Sequence, residues 1–132
     1  MKAGFIIISQ FADYKPKKGL TVSNIIDRVT AASLPACATK LFVTFSLIAE
    51  ANEKGKTGSV RFQIVDPDGT VIMAPPADPY KFPRDFPGES YTLVKVFVEG
   101  DIEFKQFGRY SFEIRNDGEF LAAAQFEILQ KS

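Results

Sequence analysis

Arg109-Tyr110-Ser111-Phe112-Glu113-Ile114-Arg115 is the stretch that decides the fold, because polar and apolar residues alternate through it without a break. Alternate side chains of a β-strand point to opposite faces, so Tyr110, Phe112 and Ile114 share one face and the polar residues share the other. A strand of this kind covers a hydrophobic core on one side and meets water on the other. The stretch therefore predicts a sheet with one buried face.

The same period of two recurs elsewhere in the chain. Apolar residues occupy alternate positions in the stretches 41–49, 60–64 and 92–98. In the first of these, Phe42 and Ile48 also place apolar groups on the second face, so that face is not clearly polar. All three stretches are predicted to be strands.

Turn residues separate the predicted strands. Asp66-Pro67-Asp68-Gly69 supplies a proline that fixes φ and a glycine that accepts positive φ, and Asn116-Asp117-Gly118 is a hairpin signal. With further strands near residues 4–11 and 20–32, about seven to nine short strands are expected. The predicted fold class is an all-β, antiparallel, immunoglobulin-like sandwich, with residues 1–132 forming a single domain.

Two segments, 23–33 and 119–130, also carry helical signals. Ser23 is a good helix N-cap in the first, and the three alanines at 122–124 favour helix in the second. We predict a strand with a bulge in the first segment, with a helix as the alternative. The second is predicted to be a strand, because its apolar residues keep strand spacing and the preceding turn requires a partner for the strand 109–115.

Several motifs spread along the chain resemble those of a family of small bacterial β-sandwich proteins of unknown function. They are Gly19-Leu20, Asn24-Ile25-Ile26-Asp27-Arg28-Val29, Pro35, Val65-Asp66-Pro67-Asp68-Gly69, Gly108-Arg109-Tyr110-Ser111-Phe112-Glu113-Ile114 and Asp117-Gly118. The resemblance implies a compact, usually single-domain sandwich and brings no activity, cofactor or site. The tyrosine within 108–114 is also similar to the tyrosine corner of immunoglobulin-like domains.

The composition is that of an ordinary globular chain. Its 132 residues, 45% hydrophobic and 24% charged, are enough to bury one core without disulfides or a structural metal. The apolar run 5–8 is too short for a signal-peptide core, and no stretch is long enough to span a membrane. The single cysteine, Cys37, fits a reducing compartment, so we expect a cytoplasmic protein.

The charge balance bears on the partners. The chain has 16 basic and 16 acidic residues, so no net field attracts nucleic acid or an anionic membrane. We therefore expect neither of these partners, but a protein partner or self-association. Lys15, Lys17 and Lys18 beside Tyr14 form a local basic cluster, which we interpret as a solvated hairpin tip, with contact to an anionic partner as the alternative.

The residues of the common catalytic mechanisms are missing. The chain has no histidine, which excludes Ser-His-Asp and Cys-His catalysis and removes the commonest zinc ligand. Cys37 has no neighbouring base to activate it, and Gly55-Lys56-Thr57-Gly58 lacks the upstream glycine of a phosphate-binding loop. We predict no enzyme, no catalytic residue, no metal site and no cofactor.

Acidic residues leave two alternatives open. Aspartates in the predicted turns would bind Ca²⁺ if several met at one end of the sandwich, although aspartate is common in turns for its backbone hydrogen bonds. Carboxylate pairs such as Glu113 and Glu127 would suit a hydrolase that works as glycosidases do. The aspartates concerned are Asp13, Asp66, Asp68, Asp85, Asp101 and Asp117.

The stretch 74–88 breaks the strand pattern with prolines interleaved with aromatic residues. Proline disfavours sheet structure, so we predict a long loop that crosses between the sheets. Tyr80, Phe82, Arg84 and Phe86 are the candidate partner-binding residues, because rings on a stiff loop lose little entropy on docking. The alternative is that the rings fold back and close the open end of the sandwich.

Taken together, these features predict a non-enzymatic interaction or structural module that binds through this loop, a sheet face or a sheet edge. A small-ligand, carbohydrate or calcium-dependent binding domain is the alternative, followed by a hydrolase that uses carboxylates alone.

Overall fold

Most of the chain is extended. The computed structural model describes residues 1–132 and contains ten β-strands and one short 3-10 helix, Ala51–Glu53. The strands are β1 (Lys2–Lys15), β2 (Gly19–Ile25), β3 (Arg28–Ala31), β4 (Ala36–Glu50), β5 (Thr57–Val65), β6 (Val71–Met73), β7 (Asp78–Lys81), β8 (Ser90–Phe104), β9 (Gly108–Asn116) and β10 (Glu119–Gln130). The all-β prediction is confirmed, and both segments with helical signals form strands.

The strands pair into two sheets. The four-stranded sheet has the order β2-β1-β4-β8, and the six-stranded sheet has the order β3-β10-β9-β5-β6, with β7 also paired to β5. β3 and β10 run parallel, whereas the other ladders are antiparallel. There are ten strands rather than seven to nine, partly because β7 forms inside the stretch 74–88 that was expected to be a loop. Pro79 is tolerated there because β7 pairs on one side only.

The chain changes sheets at residues 26–27. Ile26 N donates a hydrogen bond to Ile8 O in the four-stranded sheet, and the next residue, Asp27, accepts one from Glu127 N in the six-stranded sheet. The segment predicted as one bulged strand is therefore two strands, β2 and β3, in different sheets. The edges of both sheets meet at this crossing.

The core lies between the sheets and is rich in phenylalanine. Phe62 of β5 packs against Phe97 of β8, with ring centroids 5.5 Å apart, and so joins the two sheets. At the free edge of β8, Lys95 pairs with Asp78 at 2.9 Å and donates a hydrogen bond to Pro79 O. An inward-pointing lysine on an edge strand disfavours pairing with a strand from another chain.

Candidate functional site

The four predicted partner-binding residues lie on β7 and in the segment that follows it. Tyr80, Phe82 and Phe86 are buried in the core, whereas Arg84 is exposed. The Tyr80 hydroxyl donates a hydrogen bond to Asn116 Oδ1 at 2.7 Å. Of the two arrangements considered for this stretch, the structure has the one in which the rings fold back and close the open end of the sandwich. Burying an aromatic ring gains about 1.5–3 kcal/mol, which favours closing this end of the sandwich over presenting the rings to water.

The two glutamates considered for hydrolysis are held in separate ion pairs. Glu113 Oε1 is 3.4 Å from Arg115, and Glu127 Oε1 is 3.9 Å from Arg109. Both glutamates lie on the outer face of the six-stranded sheet, on different strands. They do not face each other across a cleft.

Two of the turn aspartates, Asp66 and Asp101, border a cavity of about 410 Å³ together with Glu103. Gln106 Nε2 donates hydrogen bonds to Asp66 and Asp68, each at 3.3 Å. No group of three or more cysteine, aspartate or glutamate side chains is arranged to hold a metal ion. The cavity is acidic, but it is not a calcium-type cluster of oxygen ligands.

The outer face of the four-stranded sheet carries apolar side chains. Side chains alternate along β4, and because Val43, Phe45 and Leu47 point into the core, the residues between them point away from the other sheet. Cross-strand neighbours of these residues lie on the same outer side. The apolar face comprises Ile7, Ser9 and Phe11 of β1, Ile25 of β2, Phe42, Thr44, Ser46 and Ile48 of β4, and Thr92, Val94, Val96 and Val98 of β8.

Several members of the apolar face are open to solvent. The exposed fraction is 67% for Ile25, 47% for Phe11 and 46% for Val98. The Phe11 ring lies against Phe42, with ring centroids 5.6 Å apart, and leaves Phe42 only 7% exposed. The face is thus a continuous apolar surface rather than a set of isolated exposed residues.

Three buried hydroxyl groups lie among these apolar side chains. Ser46 Oγ accepts a hydrogen bond from Phe5 N at 3.0 Å, and Ser9 Oγ donates one to Phe11 O at 2.9 Å. Thr44 Oγ1 is buried without a hydrogen-bond partner in the chain. The surrounding side chains cover all three residues, so these hydroxyls add little polarity to the surface.

Charged side chains occur at the two ends of the apolar face. Lys40 lies at one end of the β4 segment, with Nζ 5.2 Å from the centroid of the Phe42 ring. Glu50 lies at the other end, beside a surface cavity that Lys2 and Glu89 also line. One end of the face is therefore basic along β4 and the other is mainly acidic.

The sequence contains a signal for this face, namely apolar residues on both faces of one predicted strand, but the signal alone does not indicate a site. Phe42 and Ile48 gave the stretch 41–49 apolar groups on both faces, which is typical of a strand covered on both sides. The alternation in 92–98 predicts a strand without deciding which of its faces is buried, and Val94, Val96 and Val98 lie on the outer side. Only the register between β4 and β8 brings them beside Phe42.

The sequence matches the model of a family of unknown function, DUF6941, over residues 4–129. No curated protein matches the chain. Among solved structures, the fold is similar to part of the Pseudomonas fluorescens alkylpurine DNA glycosylase AlkC bound to DNA containing an abasic site analog. The TM-score is 0.51 and the identity 15%, with 97% of this chain covered; the chain spans 30% of the length of that glycosylase.

This comparison corrects the prediction that nucleic acid is not a partner. The balanced charge led us to expect no nucleic acid, but a protein that contains this fold is bound to DNA in its structure. The exclusion of nucleic acid is therefore wrong, because charge can be distributed locally even when the total is zero. As for membranes, the structure contains no helix with the length and apolar character needed to cross one.

Proposed function

The chain belongs to the DUF6941 family of unknown function, and we propose that it is a non-enzymatic interaction module that binds through the apolar face. The observation that carries this proposal is the run of apolar side chains across neighbouring strands of a solvent-facing sheet surface. Burying such a surface against a partner removes apolar area from water, which is the main driving force of association.

The size of the apolar face fits this role. With strands ~4.8 Å apart and a rise of ~3.3 Å per residue, the three strands β1, β4 and β8 cover about 330 Å² over seven residues. Contiguous apolar patches of a few hundred Å² on a protein surface commonly mark interaction sites. The face is also built on paired strands of a sheet, so docking orders few side chains.

The non-enzymatic part of the proposal is supported by the state of the acidic residues. Glu113 and Glu127 are tied in separate ion pairs on an open sheet surface. A pair of catalytic carboxylates would instead stand on either side of a bound substrate.

A pair of matched substitutions tests the proposal. Val98→Lys places a charge in the apolar face at a side chain that is already 46% exposed, so the fold should be retained. Gln125→Lys, on the outer face of the six-stranded sheet, is the control. Immobilised wild type and Gln125→Lys should capture the same component of the native host, and Val98→Lys should lose it. Equal capture by all three chains would contradict the proposal.

Nucleic-acid binding is the second candidate, favoured by the hairpin between β1 and β2. Lys15, Lys17 and Lys18 are all exposed there, and only Lys15 forms an ion pair, with Asp13 at 3.7 Å. The hairpin therefore carries excess positive charge beside the ring of Tyr14, a combination that suits phosphate groups and stacked bases. The similar glycosylase is bound to DNA, which agrees with this candidate.

Fluorescence anisotropy with labelled single- and double-stranded DNA tests this second candidate. Replacing Lys15, Lys17 and Lys18 by glutamine should weaken binding by at least about tenfold and remove most of the salt dependence, because each phosphate contact contributes a slope of about −0.7 to −0.9 in log K against log salt. If wild type gives no anisotropy change at about 50 mM salt, nucleic acid is rejected.

We also propose that the sandwich is of immunoglobulin-like type and that the protein is cytoplasmic. The first is supported by Tyr110, whose hydroxyl donates a hydrogen bond to Gln106 O at 2.8 Å in the manner of a tyrosine corner. The second is supported by Cys37, an exposed thiol with no disulfide partner, which suits a reducing compartment.

A further inference from the structure

We infer that the occupant of the apolar face is a second copy of this chain. The four-stranded sheets of the two copies pack face to face about a two-fold axis that lies between them. This inference rests on the proposed function and adds the identity and the orientation of the partner. A two-fold interface requires a surface that is complementary to itself. The outward residues of β4 and β8 meet this requirement both in their apolar side chains and in the charges at the ends of the β4 segment.

The charges along β4 are arranged symmetrically about Phe45. The outward apolar segment runs from residue 42 to residue 48, and Lys40 and Glu50 are each five positions from Phe45. A two-fold axis that crosses β4 above Phe45 brings Lys40 of one copy to Glu50 of the other. Symmetry makes this contact twice, once at each end of the interface.

The same axis also pairs the outward residues of β8. Val94 and Val96 are the cross-strand neighbours of Ser46 and Thr44, so they lie on either side of the axis. Val94 of one copy packs against Val96 of the other, and Val98 of one copy packs against Thr92 of the other. β4 then lies on β4 and β8 on β8 in opposite directions, within the range of angles at which aligned sheets pack.

Charge selects this orientation over the parallel one. A two-fold axis along the strands would stack Lys40 on Lys40 and Glu50 on Glu50. Like charges placed against each other at an interface are costly, whereas opposite charges at the rim set the register and orientation. The antiparallel arrangement avoids the repulsion and gains the attraction.

The expected area indicates a reversible dimer. Between Lys40 and Glu50 the strand is ~33 Å long, and the three strands that run beside this stretch, β1, β4 and β8, are together ~14 Å wide, which gives about 480 Å² per copy. The two copies together bury about 950 Å², which is below the ~1,200 Å² of stable specific interfaces and in the range of weak, transient ones. We therefore expect dissociation at micromolar concentrations of the chain.

Sedimentation velocity over a concentration series tests the occupant. Wild type and the control Gln125→Lys should shift from monomer to dimer as the concentration rises through the micromolar range. Val96→Lys, at the centre of the face, should stay monomeric at every concentration, and its far-ultraviolet circular dichroism should match wild type. If Val96→Lys does not fold, Val98→Lys replaces it, because that side chain is more exposed.

Charge reversal tests the orientation. Lys40→Glu and Glu50→Lys should each weaken the dimer roughly tenfold, because each creates two repulsive contacts. The double variant should recover most of the wild-type affinity. Failure of the double variant to recover would overturn the antiparallel arrangement.

Other outcomes separate this inference from the proposed function. A wild-type chain that stays monomeric at all concentrations, or that dimerises only when DNA is added, overturns the second copy as the occupant. If Val98→Lys still loses a host component captured by wild type, the apolar face remains an interaction surface for another partner. A dimer that Val96→Lys and Val98→Lys leave intact overturns the face as its interface.

Discussion

The outer faces of the two sheets are built from strands of the same kind and differ in their chemistry. On the six-stranded sheet, Gln63 donates a hydrogen bond to Glu113 at 3.0 Å, and Arg115 pairs with the same carboxylate. On the four-stranded sheet, the equivalent outward positions carry Phe42, Val96 and other apolar residues. One surface is a network of polar groups and the other is nearly without charge.

This difference shows that the apolar face is not a requirement of the sandwich. The six-stranded sheet covers the same core with its inner face and keeps a polar outer face. The four-stranded sheet would cover the core equally well with polar residues outside. Val71, Ile72 and Phe120 of the six-stranded sheet are also exposed, but only the four-stranded sheet carries apolar residues side by side across its central strands. Since exposed apolar area is unfavourable in water, this continuous face indicates a surface used for binding.

The largest difference between the two outer faces should appear in the free energy of unfolding when one outward residue on each sheet is replaced by alanine. Phe42→Ala should lower the free energy of unfolding by about 3 kcal/mol, because the ring is nearly buried against Phe11. Gln63→Ala should lower it by less than about 1 kcal/mol, since it loses a single hydrogen bond on the polar face.

Urea unfolding at a low, fixed chain concentration measures both changes without a contribution from association. Similar losses for the two variants would mean that the outer faces do not differ in how they support the fold.

Alkaline pH should lower the free energy of unfolding through the two buried tyrosines of the six-stranded sheet. Burial raises the pKa of Tyr80 and of Tyr110 above the usual 10.0. A group whose pKa is raised on folding contributes stability that is fully present below its unfolded pKa and is lost as pH rises towards the folded value. Each tyrosine contributes a slope of at most about 1.4 kcal/mol per pH unit, so we expect the free energy of unfolding to fall as the pH rises above 10.

Unfolding free energies measured between pH 8 and pH 11 check this prediction. Tyr110→Phe removes one of the two tyrosines with a raised pKa and should show a shallower fall than wild type. A Tyr110→Phe curve parallel to that of wild type would show that this hydroxyl does not control the alkaline loss.

The local pattern of residues was sufficient to predict most of the strands, although not β7. The alternation in 109–115 depends only on neighbouring residues, and β9 has the predicted buried face, with Tyr110, Phe112 and Ile114 in the core. The sheet change at 26–27 was not predicted, because it is fixed by hydrogen bonds to Ile8 and Glu127, far away in the sequence.

The candidate site depends on such distant contacts even more strongly. The proline-aromatic stretch leaves open whether Tyr80 is exposed or buried, because the partner of its hydroxyl group, Asn116, is 36 positions away. Conversely, the pattern of 41–49 contained Phe42 and Ile48 as outward apolar residues, but only register with β1 and β8 joins them into one surface. A single strand cannot show which of its faces will be continued by its neighbours.

The smallest predicted effects come from two neighbouring hydroxyls at the centre of the apolar face. Thr44 Oγ1 has no partner in the chain, so Thr44→Val removes an unpaired buried hydroxyl at nearly constant volume and should stabilise the fold by about 1 kcal/mol. Ser46→Ala should destabilise it by a similar amount, because Phe5 N loses its acceptor. Urea unfolding of both variants measures these opposite signs. If Thr44→Val is instead destabilising, that hydroxyl is engaged in the folded state, and the centre of the apolar face is more polar than the outer surface indicates.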